Sequence, residues 1–425
     1  VASRAISFLS VPILTRIMSP EDYGAAAVAW TWAGLLALAG PLNLGAAIMR
    51  GAVDREGPLW NRYLATLTLI GLAALVFEGA VIASLPQFWL DRLFGQPRLL
   101  VLAWCVAAVG LFLSEIPLRE WAARMRARPY VQQIMIVAVV QVALSVTLVA
   151  ITERDDIARV LGLGLPLVAA GLIALARLLG RPGVAVNAED LRDAAAYGAP
   201  LVLHGVAGLA LGQLDRVMIE RMIGPAEAGF YTVGYQLSDA VAVIWAGANA
   251  AWVPWLYHRL KTDDLGIARR RSAQYAWLFT LLVAVLMPLG AWALPLFAGE
   301  RFAAGAVVVP PVIAAQGVLM LYSFYVNLEM YDRRNLWVAG GTMAAALINL
   351  LLNLWALPRW GWAAAAWTTL GSYGVLLGVH AALTTWKLGR GRWVPHAHVW
   401  AGAFVLVVEA ALLHAMAVFG ARTVP

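Results

Sequence analysis

Arg4, Arg16, Glu78, Asp215, Arg216, Glu220, Arg221 and Asp239 interrupt or end stretches of sequence that are otherwise apolar. A charge at the centre of a membrane helix costs about 2.5–3.5 kcal/mol on insertion scales, so such residues face a cavity or a partner of opposite sign. At about 1.5 Å per residue, Arg4 lies roughly 18 Å below Arg16, near the middle of the first helix. By the same rise, Asp215 and Arg216 lie about 9 and 7.5 Å inward of Arg221 in the seventh. Glu78 in the third helix and Asp239 in the eighth are the acids best placed to take a coupling H+ or Na+, since a carboxylate out of water is best neutralised by binding one. The competing reading is intramolecular pairing, Asp215 with Arg4 or Glu220 with Arg16, or a polar lock within the bundle.

No catalytic or metal constellation accompanies these charges. His204, His258, His380 and His414 are isolated in or at the ends of apolar segments, where a histidine is packed or hydrogen-bonded more often than it binds metal. His396-Ala-His398 has too few neighbouring ligands for zinc. The single cysteine, Cys105, excludes a disulfide framework and a thiolate metal site. The chain also lacks the glycine-rich phosphate loop of nucleotide-driven machines, and no cofactor is expected. Glu115 and Glu329 fall near helix ends and are expected at the interface, while Gly205, Gly208 and Gly212 suit close packing of the seventh helix.

The elements that position the charges are membrane helices. Of 425 residues, 62% are apolar and 13% charged, so the bilayer is the solvent. The net charge of +7 is spread over many short connections, which argues against a nucleic-acid surface. Apolar segments at 1–17, 23–49, 63–85, 98–118, 130–152, 157–178, 198–222, 229–256, 274–298, 303–330, 335–357, 361–386 and 398–419 make about 13 helices. Trp60, Trp89, Trp121, Trp255, Trp360 and Trp393 sit near their ends as interfacial anchors would. Residues 179–197 form a linker in which Asn187-Ala-Glu-Asp190 can cap a short amphipathic surface helix. Alternate connections carry about 20 basic residues against 9, which places the N-terminus in the cytoplasm. Val1 opens the chain without methionine on an apolar stretch short for a span, so a trimmed first helix is expected, not a signal peptide.

Laid against itself at an offset of about 205 residues, the chain repeats. Arg16-Ile-Met-Ser-Pro20-Glu-Asp-Tyr-Gly24 falls on Arg221-Met-Ile-Gly-Pro225-Ala-Glu-Ala-Gly229, and Arg128 falls on Arg333. Each half has an even number of spans, so the repeat is parallel about an axis along the membrane normal. The expected fold is an all-α polytopic membrane protein. Its lobes are 1–178 and 198–386, two six-helix bundles around a central cavity, with one further helix in 387–425. Arg4 aligns with Leu209 and Arg216 with Val11, so these charges break the repeat.

Three stretches carry a family resemblance. Arg4-Ala-Ile-Ser-Phe-Leu-Ser-Val-Pro-Ile-Leu-Thr-Arg16 leading to Ser19-Pro-Glu-Asp-Tyr-Gly24 is the first. Tyr197-Gly-Ala-Pro-Leu-Val-Leu-His204, Asp215-Arg-Val-Met-Ile219, Gly224 and Gly229-Phe-Tyr231 make the second, and Asn349-Leu-Leu-Leu-Asn353, Pro358-Arg-Trp-Gly361 and Ala363 to Thr369 the third. In this order and spacing they resemble the polysaccharide transporter family, the O-antigen and oligosaccharide flippases within the superfamily that also holds multidrug and toxin extruders. That family carries 12 or 14 helices, so a fourteenth after Pro425 is expected.

The resemblance implies a non-enzymatic transporter of the bacterial inner membrane. It would move undecaprenyl-pyrophosphate-linked oligosaccharide to the outer leaflet by alternating access, for O-antigen, capsule or exopolysaccharide assembly. For such a substrate, the depth of the in-span charges makes Arg4 and Arg216 the expected pyrophosphate contacts, with Arg16 and Arg221 at the outer rim. The resemblance also implies a monomer among membrane lipids, with a polysaccharide polymerase and glycosyltransferases as partners. The nearest rival is a cation-coupled drug extruder, which would line its cavity with acids and aromatics. A membrane-embedded glycan polymerase or ligase would need a sizeable outer loop, and none is present in the sequence. A scaffold in an envelope-assembly complex is the remaining alternative.

Overall fold

Proline and glycine stand at many of the turns between apolar segments, while Pro117, Pro166, Pro200 and Pro288 lie inside helices that continue past them. The computed structural model describes residues 2–420, with side chains for Phe8 and for 10–417. Fifteen α-helices follow one another: α1 (Ala2–Ile17), α2 (Pro20–Ala39), α3 (Ala47–Asp54), α4 (Gly57–Ser84), α5 (Gln87–Leu93), α6 (Arg98–Ala123), α7 (Ala127–Ile151) and α8 (Asp155–Leu179). Next come α9 (Ala188–Met222), α10 (Pro225–Lys261), α11 (Leu265–Ala298), α12 (Val309–Tyr331), α13 (Asn335–Trp360), α14 (Ala364–Ala382) and α15 (His396–Gly420). Each of the thirteen expected segments forms a helix. Among the described residues ten helices are long and apolar enough to span by themselves, and eleven if α2 and the segment Leu44–Asp54, bent by 62°, count as one span. The protein is an all-helical, multi-pass membrane protein.

By contacts the chain divides into two compact units, Ala2–Arg221 and Met222 onward. In the first, α6 and α8 pack closely because small residues face each other. A Cβ on Gly110 would stand 2.9 Å from the Gly164 carbonyl oxygen, and one on Gly171 would strike Leu113. Aromatic rings also pack within this unit, where Phe94 meets Trp32 and Trp104 edge-on at 5.2 Å. In the second, α12 is the central helix, packed against α10, α11, α14 and α15. Large apolar side chains such as Phe77, Leu278 and Phe404 stand exposed on the surface of the units, as a hydrocarbon solvent requires.

Three features differ from the sequence expectation. The linker 179–197 holds no separate surface helix. Asn187 Oδ1 accepts from the Glu189 and Asp190 amides (2.9 and 3.0 Å), capping a helix that runs unbroken through Pro200 to Met222. The alanines around residue 195 favour helix and offer no stop. Trp60 and Trp393 are buried instead of anchoring at an interface. Trp60 stacks near Tyr63 and donates to Glu120 (3.3 Å). Of the three glycines in α9, Gly205 packs on Leu38, whereas a Cβ on Gly208 or Gly212 would meet nothing within 4 Å.

Candidate functional site

The second span is the irregular element of the first unit. Ser19 caps α2 by accepting from the Asp22 amide (3.1 Å), and Pro20 occupies its first turn. The helix stops at Gly40, and Leu42 and Asn43 take left-handed backbone (φ 50° and 52°) before the chain resumes at Leu44. A break inside a span exposes backbone carbonyls that a continuous helix would satisfy, which is how transporters make room for polar ligands.

Two elements close on this break. Gly198 of α9 approaches it so nearly that a Cβ would stand 2.8 Å from the Leu42 carbonyl oxygen and 2.9 Å from that of Asn43. The Tyr197-Gly198 pair is therefore a contact device, and Arg50 lies over the Tyr197 ring (5.6 Å). From α4 comes Glu78, half-buried, with Oε2 in contact with the site where a Gly40 Cβ would sit. That oxygen is buried and takes no hydrogen bond among the described residues. A carboxylate so placed needs a proton, a cation or a hydrated state of the break to satisfy it.

The other expected residues are distributed as follows. Asp215 is buried on α9, and Arg216, one step round the helix, is half-buried; each is engaged with other groups. Glu220 pairs with Gln96, whose Nε2 donates to Oε1 (3.3 Å) and to the Ala25 carbonyl (3.1 Å), and not with Arg16. Arg221 donates to the carbonyls of Asp91 (2.6 Å) and Arg92 (2.5 Å), so it holds the C-terminal end of the short α5. Arg16 is exposed at the end of α1 and donates to the Pro12 carbonyl (2.5 Å). Asp239 lies on an exposed face of α10 in the second unit. The Arg4 side chain lies outside the described residues.

Three polar groupings escaped sequence reasoning. Arg159, near the start of α8, is only 8% exposed, with its guanidinium 3.5 Å from the centroid of the Tyr23 ring and Nη1 3.9 Å from Met18 Sδ. The tyrosine of the first hairpin is thus a seat for a buried cation. Glu329, expected at an interface, is fully buried and meets His380 Nδ1 (2.7 Å) and the Thr384 hydroxyl (3.0 Å). It stands three residues before Asp332-Arg-Arg, which made it look terminal; nothing in sequence links it to residues about 50 positions later. Asn349, Asn353, Thr368 and Thr369 interlock α13 with α14: Thr368 donates to Asn353 (2.6 Å), Asn353 to Asn349 (3.2 Å), and Asn349 to Thr369 (3.3 Å). Outside the spans, Arg390 grips Asp332 through two bonds (2.9 and 3.0 Å), and that hydrogen bonding raises the guanidinium pKa. His396 and His398 bond to Tyr325 and Trp277, and no metal-holding cluster occurs among the described residues.

The family model described as polysaccharide biosynthesis protein matches residues 1–258. A stretch of 100 residues is 30% identical to the Lsg locus putative protein 1 of Haemophilus influenzae, covering 23% of this chain and 24% of that relative. Among solved structures, the fold matches the lipid II flippase MurJ in an inward closed conformation with a TM-score of 0.74 at 9% identity, over 100% of this chain and 98% of that one. It matches an inward-facing multidrug resistance MATE family transporter of the MOP superfamily with a TM-score of 0.57 at 16% identity, over 96% and 95% of the two chains. At these identities the likeness is one of fold.

Proposed function

The chain belongs to the polysaccharide biosynthesis protein family, and from that premise we propose that it is a lipid-linked oligosaccharide flippase. Its substrate is undecaprenyl-pyrophosphate oligosaccharide, carried by alternating access from the inner to the outer leaflet of the bacterial cytoplasmic membrane. The products would serve O-antigen, capsule or exopolysaccharide assembly beside a polymerase and glycosyltransferases. The observation that carries this reading is the pairing of a polysaccharide biosynthesis family with a multi-pass fold shared, over its full length, with a flippase.

The chemistry asked of the protein is to neutralise a dianionic head while the glycan stays wet and the prenyl chain stays in lipid. Arg216, on the helix that packs beside the broken span, and Arg4 are proposed as the pyrophosphate contacts, with Arg16 nearer the outer rim. Arg221 is a positioning residue in this scheme, because its guanidinium serves the α5 carbonyls. The excess of basic residues on alternate connections supports a cytoplasmic N-terminus. Two negative charges moving outward across an inside-negative potential near 100 mV gain roughly 4.6 kcal/mol, so the loaded step runs downhill. Resetting the empty carrier is the step that uses H+ or Na+, with Glu78 at the break as the coupling carboxylate.

The test is a proteoliposome assay with a fluorescent undecaprenyl-pyrophosphate oligosaccharide, read as its accessibility to an impermeant reagent. Wild type is expected to equilibrate the lipid at unchanged mass, and Arg216→Gln to abolish flipping while the protein stays folded. Glu78→Gln is expected to retain exchange but lose its response to imposed ion gradients. Full activity of Arg216→Gln and Arg4→Gln, each measured singly, contradicts the assignment of the head contacts. Uptake of organic cations in place of the lipid contradicts the substrate class.

A further inference from the structure

On the first unit, the ends of α4, α6, α7 and α8 that adjoin the linker leave a cleft of about 340 Å³. Its walls are mostly apolar, made by Leu64, Ile116, Ile136, Ile173 and Leu178 among others, with Thr68, Gln132 and Gln133 as polar members. Ile136 and Ile173 are 62% and 53% exposed, so the cleft opens sideways through an apolar lip. At the level of the turn between α6 and α7 it adjoins a second hollow of about 350 Å³, with Glu120, Trp121 and Arg181 lining both. The second hollow adds Arg124 and Arg126, and Arg177 lines the first. An apolar slot thus leads into a mouth of arginines beside a tryptophan, the order met on passing from acyl chains to headgroups.

The charges in the mouth do not cancel. Glu120 is taken up by Arg181 (2.6 and 3.1 Å) and by Trp60 Nε1. Arg124 rests over the Trp60 ring at 4.9 Å, and neither it nor Arg126 nor Arg177 forms an ion pair among the described residues. The amide groups of the first turn of α7, which starts at Ala127, add to the positive field. A surplus of positive charge at the headgroup level over an unfilled apolar slot suits a lipid that joins a phosphate to acyl chains; a free anion would leave the slot unfilled, and a zwitterion would leave the charge unmet.

We propose that this cleft binds one anionic phospholipid of the surrounding leaflet, with an acyl chain against Ile116, Ile136 and Ile173 and the phosphate on Arg124 and Arg126, beside the Arg181–Glu120 pair. The site lies within the first unit and does not depend on the flippase reading. The lipid would brace the turn between α6 and α7 against the linker, which Arg181 and the bond from Asn61 to the Pro182 carbonyl (3.0 Å) tie to the same corner.

The experiment uses the full chain purified in a neutral detergent, with lipid retention read by native mass spectrometry. The probes are phosphatidylglycerol, phosphatidylcholine and glycerol phosphate. Phosphatidylglycerol is expected to be retained, while phosphatidylcholine and glycerol phosphate fail to displace it. Arg124→Gln and Arg126→Gln should each weaken retention about fivefold and together about 25-fold, at the cost expected per arginine near an anionic surface. The paired lysine substitutions should stay within about threefold of wild type. Ile136→Trp, which narrows the slot without changing charge, should also weaken binding. Arg126 is exposed, so its substitution keeps the test available should the Arg124 variant fail to fold. Equal retention of phosphatidylcholine, displacement by glycerol phosphate, or unchanged affinity of folded Arg126→Gln would overturn the proposal. Because binding is read without transport, it can fail while flipping stands, and the reverse.

Discussion

Removing one partner from the Glu329–His380 pair should damage the second unit far more than its small size suggests. Both side chains are fully buried, Nδ1 and Oε2 stand 2.7 Å apart, and Thr384 donates to the other carboxylate oxygen at 3.0 Å. The far side of the imidazole is closed: Nε2 lies against Gly341, takes no hydrogen bond among the described residues, and Tyr322 presents its ring edge-on at 5.0 Å. Glu329→Ala strands the buried imidazole and leaves the Thr384 hydroxyl only the Tyr325 carbonyl at 3.5 Å, which costs about 3–5 kcal/mol. Over a unit of about 200 residues, each kcal/mol moves a thermal midpoint by roughly 2 °C, so a fall of about 6–10 °C is expected. Tryptophan-fluorescence melting in detergent measures it. The exposed Arg392–Asp263 pair at 3.8 Å is the internal control, and Asp263→Ala should cost no more than about 1 kcal/mol. The double change Glu329→Met with His380→Leu should recover most of the loss, since it leaves no uncompensated charge and Thr384 keeps the Tyr325 carbonyl at 3.5 Å. A single variant that melts like the Asp263 control, or a double variant as damaged as the worse single, would refute the reasoning.

Two further substitutions test the first unit. Gly198→Ala drives a methyl group into the carbonyls of Leu42 and Asn43 and should lower stability by about 1–3 kcal/mol, whereas Gly208→Ala, with open space at its Cβ, should be neutral or slightly stabilising; equal melting of the two variants would remove the contact role of the Tyr197-Gly198 pair. Arg159→Met should cost about 2 kcal/mol through loss of a desolvated cation on a ring, and combining it with Tyr23→Leu should add little more; strictly additive losses in the double variant would show that the two side chains act independently.

The helices were legible because their cause is local. Runs of apolar residues bounded by proline, glycine and arginine needed no knowledge of packing, and the membrane leaves the backbone no alternative to helix. The cap at Asn187 was legible for the same reason, since an asparagine followed by Glu189 and Asp190 satisfies the first amides wherever the helix goes afterwards. How far that helix ran was not, because Gly198 and Pro200, which read locally as a stop, lie inside it and packing decides. The candidate charges stand out in sequence as a list, but their geometry does not. Glu78 stands out in sequence, but its contact with Gly40 depends on a break whose residues, Gly40-Pro-Leu-Asn43, look like an ordinary helix end. Glu329 was misplaced and Arg159 went unread because a charge near the end of an apolar run has two homes, water or a buried partner. Only residues distant in sequence, Tyr23 and His380, decide between them.

The repeated hairpin shows why similarity of sequence within one chain does not carry similarity of role. Its first copy caps α2 with Ser19; in the second the cap position is Gly224, which makes no side-chain bond. Tyr23 seats Arg159, while the equivalent position of the second copy, Ala228, is a small buried residue with no ring to offer. Arg16 turns back on the Pro12 carbonyl of its own helix, and Arg221 reaches across to the carbonyls of Asp91 and Arg92. What the repeat conserves is therefore the turn, set by proline and glycine, which fixes where each pair of helices reverses. What it releases is the polar chemistry, and the contact map follows the chemistry: the long helix from Ala188 to Arg221 belongs by its contacts to the first unit, although by repeat it opens the second half. Gly198 on the Leu42 and Asn43 carbonyls, Gln213 accepting from Thr31 (3.3 Å), Glu220 on Gln96 and Arg221 on α5 are the bonds that hold it there. The helix thus belongs to one half by repeat and to the other by contact, and Asp215 and Arg216, the charges that break the repeat, stand on it.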